Sequence, residues 1–235
     1  MSEMKNTLVS GLPLLGLELS ETACDTLCAF GAAMVKQNEV MNLTGITEDD
    51  QVAKLHLIDS LTVLKCADLK GKSLIDVGCG AGFPGVPTAI GCPEAKVTLL
   101  DSLAKRMNWL ETILPQLGVA NAECVTARAE EAVSTRRESY DYATSRAVAR
   151  LNILLELTAP YVKVGGAVLA LKGAMAREEL EEAKSAISKL GLQVEAVKDF
   201  TVDKDTVHTV IVLRKVRATP GKFPRRYAKI KQAPL

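Results

Sequence analysis

Apolar residues recur at helical spacing near the start of the chain. Ala23, Leu27, Phe30, Met34 and Val35 share one face over residues 20–40, with Ser20 placed to cap the first turn. Val52, Leu55, Ile58, Leu61 and Leu64 mark a second helix, capped by Asp49 or Asp50. Between them, Asn42-Leu43-Thr44-Gly45-Ile46 reads as a polar turn whose Asn and Thr satisfy local backbone. After Gly71 the pattern changes to short apolar strands alternating with helices. Strands are expected at 73–77, 96–100, 122–126, 140–145 and 167–171, the last entered through a turn at Gly165-Gly166. Helices are expected at 84–90, 104–117, near Glu130, at 151–161 and at 177–190, closed by Gly191. Segments 193–200 and 206–212 lie close enough in sequence to pair as a hairpin. The sum is an α/β fold: a Rossmann-like, doubly wound sheet of seven strands, the last two antiparallel, with an N-terminal helical cap. Three units are expected, residues 1–70, 71–216 and 217–235.

Composition changes this picture in two places. The net charge of +1 hides a division, because residues 214–235 hold eight of the 29 Lys and Arg and no acid. The remaining 21 basic residues face 28 acids, so a body near −7 carries a tail near +8. Such asymmetry points to a polyanionic partner for the tail. Six cysteines without a C-x-x-C pair, and only His56 and His208, argue against metal ligation and for reduced thiols in a cytoplasmic protein. The apolar run 8–17 is broken by Gly11, Pro13 and Gly16, so it does not read as a signal segment, and no stretch is long enough to span a bilayer. No heptad or apolar stripe demands a dimer, and a monomer is expected.

The candidate chemistry centres on Leu74-Ile75-Asp76-Val77-Gly78-Cys79-Gly80-Ala81-Gly82-Phe83-Pro84-Gly85. A strand ends there in a glycine-rich turn, where backbone can press against a ligand and a following helix offers unpaired N–H groups. Two registers fit. Asp76-x-Gly78-x-Gly80-x-Gly82 suits a cofactor carrying an ammonium, such as S-adenosylmethionine; Gly80-x-Gly82-x-x-Gly85 spells a dinucleotide fingerprint. The first places the turn directly at the strand end. Asp101, at the end of the next strand, can accept both hydroxyls of a ribose, and Ala129 with Glu130 can read an adenine edge, although Glu130 also suits an ordinary first helical turn.

With that cofactor the reaction is an in-line methyl displacement, and the protein's work is positioning. The chain has no Asn/Asp-Pro-Pro-aromatic tetrad for an exocyclic amine, and Cys92-Pro93 is in the wrong order for a Pro-Cys nucleophile. A purine N7 needs neither, because it has a lone pair and no proton to remove. Arg146 and Lys172, after the fourth and fifth strands, are positioning candidates; Arg146 can hold a cofactor carboxylate or donate to guanine O6. The fourth strand is also expected to bring Asp141 toward this edge. Phe83 is expected against the cofactor and Trp109 in a helix core.

Asp76 to Gly85, Leu100-Asp101-Ser102 with Lys105-Arg106, Arg128-Ala129-Glu130 and Ser145-Arg146-Ala147 together resemble the small-subunit rRNA methyltransferase G family, also called glucose-inhibited division protein B. The resemblance extends to Asn42-Leu43-Thr44, His56-x-x-Asp59-Ser60-Leu61, Leu171-Lys172-Gly173, Phe223-Pro224-Arg225-Arg226 and Pro234-Leu235. It implies a class I methyltransferase that moves methyl from S-adenosylmethionine to N7 of guanine 527 in 16S rRNA, free or in the small subunit. The implied cofactor contacts are Gly78, Phe83, Asp101, Ala129, Glu130 and Arg146, to which the loop reading adds Asp76, Gly80 and Gly82, and the Leu100-Asp101-Ser102 motif adds Ser102. Where family members with long tails carry Pro-Gly after the basic pair, this chain has Tyr227-Ala228. His56 and Asp59 match the family pattern and read as helix-to-sheet packing. A nucleotide-dependent oxidoreductase using residues 80–85, and a catalytically silent RNA-binding module, are the competing expectations.

Overall fold

A computed structural model describes residues 2–203 and 206–235. The N-terminal helices are α1 (Glu3–Gly11), α2 (Glu21–Met41), α3 (Asp49–Val52) and α4 (Asp59–Leu61), with a π-helical stretch Ala53–Ile58 joining the last two and a 3-10 turn Thr62–Lys65 after them. Ser20 caps α2, its side chain accepting from the Ala23 N–H at 3.1 Å. Glu48, and neither aspartate, is the cap residue of α3; Asp49 and Asp50 fall in its first turn. The expected polar turn uses Asn38 instead of Asn42, its Oδ1 accepting from the Leu43 and Thr44 N–H groups.

The sheet follows the expected α/β alternation. Its strands are β1 (Ser73–Val77), β2 (Lys96–Asp101), β3 (Ala122–Thr126), β4 (Tyr140–Arg146), β5 (Val162–Lys172), β6 (Leu192–Asp203) and β7 (Thr206–Lys215). Helices α5 (Gly85–Gly91), α6 (Ala104–Gln116), α7 (Ala129–Arg136), α8 (Leu151–Thr158), α9 (Ala176–Glu182) and α10 (Lys184–Leu190) connect them, and α11 (Tyr227–Gln232) follows β7. The strand order is β3-β2-β1-β4-β5-β7-β6; β1 to β5 are parallel, and β7 runs antiparallel to both of its neighbours.

Alternation along the strands divides the core. Leu74, Leu99 and Leu169 meet Leu8, Phe30 and Leu57 of the N-terminal helices, whereas Ile75, Leu100 and Val168 meet Leu155, Leu190 and Ile230 on the other face. The helical cap therefore completes one face of the sheet. Among the described residues no helix is long and apolar enough to cross a membrane.

Three local expectations change. Residues 3–11 form a helix where the sequence predicts none; too few turns are present to establish a period, and Leu8 is buried because the neighbouring N-terminal helices pack over it. Gly165-Gly166 falls within the bounds of β5, at an irregularity: Gly165 has φ +90°, the pairing with β4 jumps from Val162 to Ala167, and a Cβ on Gly166 would come within 2.2 Å of the Asp141 carbonyl oxygen. The helix expected at 177–190 is interrupted at Ala183.

Candidate functional site

β1 lies between β2 and β4, so the chain's winding reverses beside it and opens a crevice at the carboxyl ends of the strands. The loop after β1 enters that crevice. Gly78 has φ +74°, and a Cβ there would lie 2.5 Å from the Val148 side chain. At the start of α5, a Cβ on Gly85 would meet Leu99 at 2.3 Å; its N–H instead donates to Asp76 Oδ2 at 2.7 Å. From β2, the Asp101 carboxylate accepts from Gly80 N–H at 3.0 Å and Leu103 N–H at 2.9 Å, which ties the glycine loop to the next strand end.

These elements enclose a cavity of about 600 Å³. Of the residues expected at the site, Gly78, Gly80, Phe83, Asp101, Ser102, Ala129, Glu130 and Arg146 line it. Three others do not. Gly82 backs onto Phe30, Val86 and Leu110. Lys172 turns to the Ala149 carbonyl at 2.6 Å and to Glu179 at 2.7 Å, so it is not a positioning group for the cavity. Asp76 is fully buried beneath the loop, and burial, against the opposing Gly85 N–H, pushes its carboxyl up to about 7. Asp141 belongs to the opposite sheet edge, where it accepts from the Ser73 N–H and hydroxyl. Trp109 stacks on Phe30 at 6.1 Å within the helical layer, as expected.

His56 and Asp59 do more than pack. The Arg146 guanidinium donates to Asp59 Oδ2 at 2.7 Å, to the Leu55 carbonyl at 2.8 Å and to His56 Nδ1 at 3.2 Å. In the π-helical stretch the Asp59 N–H reaches the Lys54 carbonyl, a register in which the Leu55 carbonyl meets Arg146. Arg146 has only donors to offer, so Nδ1 must be the unprotonated nitrogen of His56. Burial first, and then the Arg146 charge, lower the His56 pKa to about 4. The proton of the neutral ring is on Nε2, which lies 2.9 Å from the Thr44 hydroxyl and donates to it. On the far side His208 Nδ1 sits 2.5 Å from Asp59 Oδ1. Although burial opposes it, contact with His208 and Arg146 holds the Asp59 carboxyl below its ordinary range. The 3-residue spacing of His56 and Asp59 on one helix was the available signal; their shared partner Arg146 was not visible from it.

The basic tail is built into the fold. Phe223 and Ile230 are buried, and Arg137 donates to the Thr219 and Phe223 carbonyls. Arg225 makes a two-pronged pair with fully buried Glu156, Nε to Oε1 at 2.8 Å and a terminal nitrogen to Oε2 at 2.6 Å. This brings Tyr227 to the cavity wall, with its N–H on Glu130 Oε1 at 3.3 Å. The tail thus touches the side chain expected to read adenine.

The site fits S-adenosylmethionine and not a dinucleotide. Asp101 offers two carboxylate oxygens on the cavity, and the Gly78 turn brings bare backbone to the surface. In the dinucleotide frame the second glycine, Gly82, should face the ligand, yet it backs onto Phe30, Val86 and Leu110. Fold and site together define a class I methyltransferase dependent on S-adenosylmethionine. Solved structures share this fold: M. jannaschii TYW2 in complex with AdoMet has a TM-score of 0.56 at 14% identity, covering 68% of this chain and 76% of that one. Geranyl diphosphate methyltransferase in complex with GPP and sinefungin has 0.58 at 11% identity, covering 83% and 100%.

The chain belongs to the rRNA small subunit methyltransferase G family, whose model, GidB, matches residues 23–208. It is 41% identical over 228 residues to the ribosomal RNA small subunit methyltransferase G of Alkaliphilus metalliredigens, covering 95% of each chain. The protein of that name from Lactobacillus johnsonii is 43% identical over 226 residues, covering 94% of this chain and 95% of its own.

Proposed function

We propose that this protein methylates N7 of guanine 527 in 16S rRNA, using S-adenosylmethionine, in the cytoplasm and as a monomer. The observation that carries the choice of acceptor is the commitment of His56: Nδ1 accepts from Arg146 and Nε2 donates to Thr44, so the imidazole on the cavity has no lone pair to spare. A site arranged in this way suits an acceptor that brings its own lone pair and no proton to remove. The bound cofactor supplies an electrophilic methyl on a sulfonium. Asp101 holds the ribose, Ala129 and Glu130 meet the adenine, and the 78–80 backbone with Phe83 and Ser102 completes the cofactor side. Arg146 is a positioning residue, fixed by Asp59 and the Leu55 carbonyl. Asp76 acts one step removed, by anchoring Gly85.

Residues 1–70 serve as a substrate-facing cap, 71–216 as the catalytic core and 217–235 as an RNA-contacting tail. In that tail Lys222, Arg226, Lys229 and Lys231 are exposed and available to phosphates, whereas Arg225 is consumed by Glu156. Incubating small-subunit RNA from a strain lacking the gene with labelled S-adenosylmethionine, then mapping the label, tests the reading. Label confined to N7 of guanine 527 is expected; no label in RNA that the wild-type strain methylates would identify a silent binding module.

A further inference from the structure

One cavity wall comes from the N-terminal segment and not from the strand ends: Leu43, Thr44 and His56. Thr44 is unusual among the polar groups there because both lone pairs of its hydroxyl are taken. The Ile46 N–H donates to Oγ1 at 3.0 Å, and His56 Nε2, fixed as a donor by Arg146, donates to it at 2.9 Å. What remains is one O–H proton, so Thr44 can donate and cannot accept.

A hydroxyl restricted in this way discriminates between purines. The Hoogsteen edge of guanine presents two acceptors, N7 and O6, while adenine has a donor amine in place of O6. N7 must stay free of hydrogen bonds to receive the methyl, so a guanine-reading donor has to address O6. The same donor faces adenine's amine with no lone pair to offer it. The apolar neighbour Leu43 on the same cavity suits the flat face of a base.

Resting on the guanine-N7 reading, we propose that the Thr44 hydroxyl is the donor that selects guanine by bonding to O6, with His56 and Arg146 serving to keep it a donor.

The test compares methyl transfer to target RNA carrying guanine at the acceptor position with transfer to the same RNA carrying 2-aminopurine, which keeps N7 and lacks the 6-oxo group. Wild-type protein should prefer guanine by roughly ten- to a hundredfold in kcat/KM, the range for one buried polar group losing its partner. Thr44→Val should lose most of that preference, and Thr44→Ser should keep it. The preference is a ratio within one preparation, so partial misfolding of a variant does not alter it. Affinity for S-adenosylhomocysteine, by calorimetry, should change less than about twofold in both variants. An undiminished preference in Thr44→Val would overturn the assignment; so would weakened cofactor binding with the preference intact, which would place the hydroxyl on the cofactor's carboxylate. If wild-type protein transfers methyl to neither RNA, the guanine-N7 reading fails with it. An active wild type without coupling defeats the Thr44 assignment alone.

Discussion

Replacing Arg225 by alanine tests whether the tail is part of the site. Glu156 is fully buried and takes two side-chain bonds from Arg225, plus a third from the Arg225 backbone N–H at 2.9 Å. Removing one partner of a buried pair typically costs about 3 to 5 kcal/mol, because the remaining charge is left without compensation. For a chain of this size such a loss would lower the melting midpoint by roughly 6 to 20 °C. The tail has an escape: if it undocks, water reaches Glu156, and the loss is limited to the free energy that held the tail in place. Undocking also withdraws Tyr227 from the cavity and from Glu130. Arg225→Ala should therefore combine a melting shift at or below that range with faster tryptic cleavage after Lys222 and Arg226 and weaker S-adenosylhomocysteine binding. The pair Arg225→Met with Glu156→Leu, which removes both charges, should recover most of the stability. Unchanged proteolysis and an unchanged midpoint in Arg225→Ala would refute the buried anchor.

Asp101→Ala should weaken S-adenosylmethionine binding by about 1 to 3 kcal/mol in calorimetry, since it removes the carboxylate that serves the cavity and the Gly80 N–H; equal affinity would remove Asp101 from the site. Asp76 gives a pH dependence of definite sign: its folded pKa, about 7, lies above the ordinary 3.8, so between those values the native state binds more protons and stability falls as pH rises. Asp76→Asn should abolish that slope, and its stability relative to wild type should rise by up to about 3 kcal/mol between pH 5 and 8 in urea unfolding; a constant difference would show that the carboxyl titrates normally. Gly78→Ala should abolish cofactor binding while leaving far-ultraviolet circular dichroism nearly unchanged, because φ is +74° and the new Cβ would collide with Val148; full binding would show that the loop adapts. Deleting residues 222–235 should lower RNA affinity and flatten its dependence on salt, and an identical slope would exclude phosphate contacts from the tail.

The sequence by itself determined the sheet and the strand ends. Leu74-Ile75, Leu99-Leu100 and Val168-Leu169 announce strands buried on both faces, and the ends of those strands necessarily delivered Gly78, Asp101 and Arg146 to one edge. Periodicity is a local property, so it can be read without knowing what packs against what. Hydrogen-bond partners and burial are not local. His208 and Asp59 are 149 residues apart, and Arg146 is 90 from His56, so only the folded chain could join them into the device that fixes Thr44. The same holds for Lys172 and Asp76, whose positions next to functional motifs suggested ligand contacts until packing turned one to Glu179 and the other to Gly85. The tail shows the contrast most fully. Its charge was legible, but whether Arg225 met phosphate or Glu156 depended on a buried carboxylate 69 residues away, which only tertiary structure could supply.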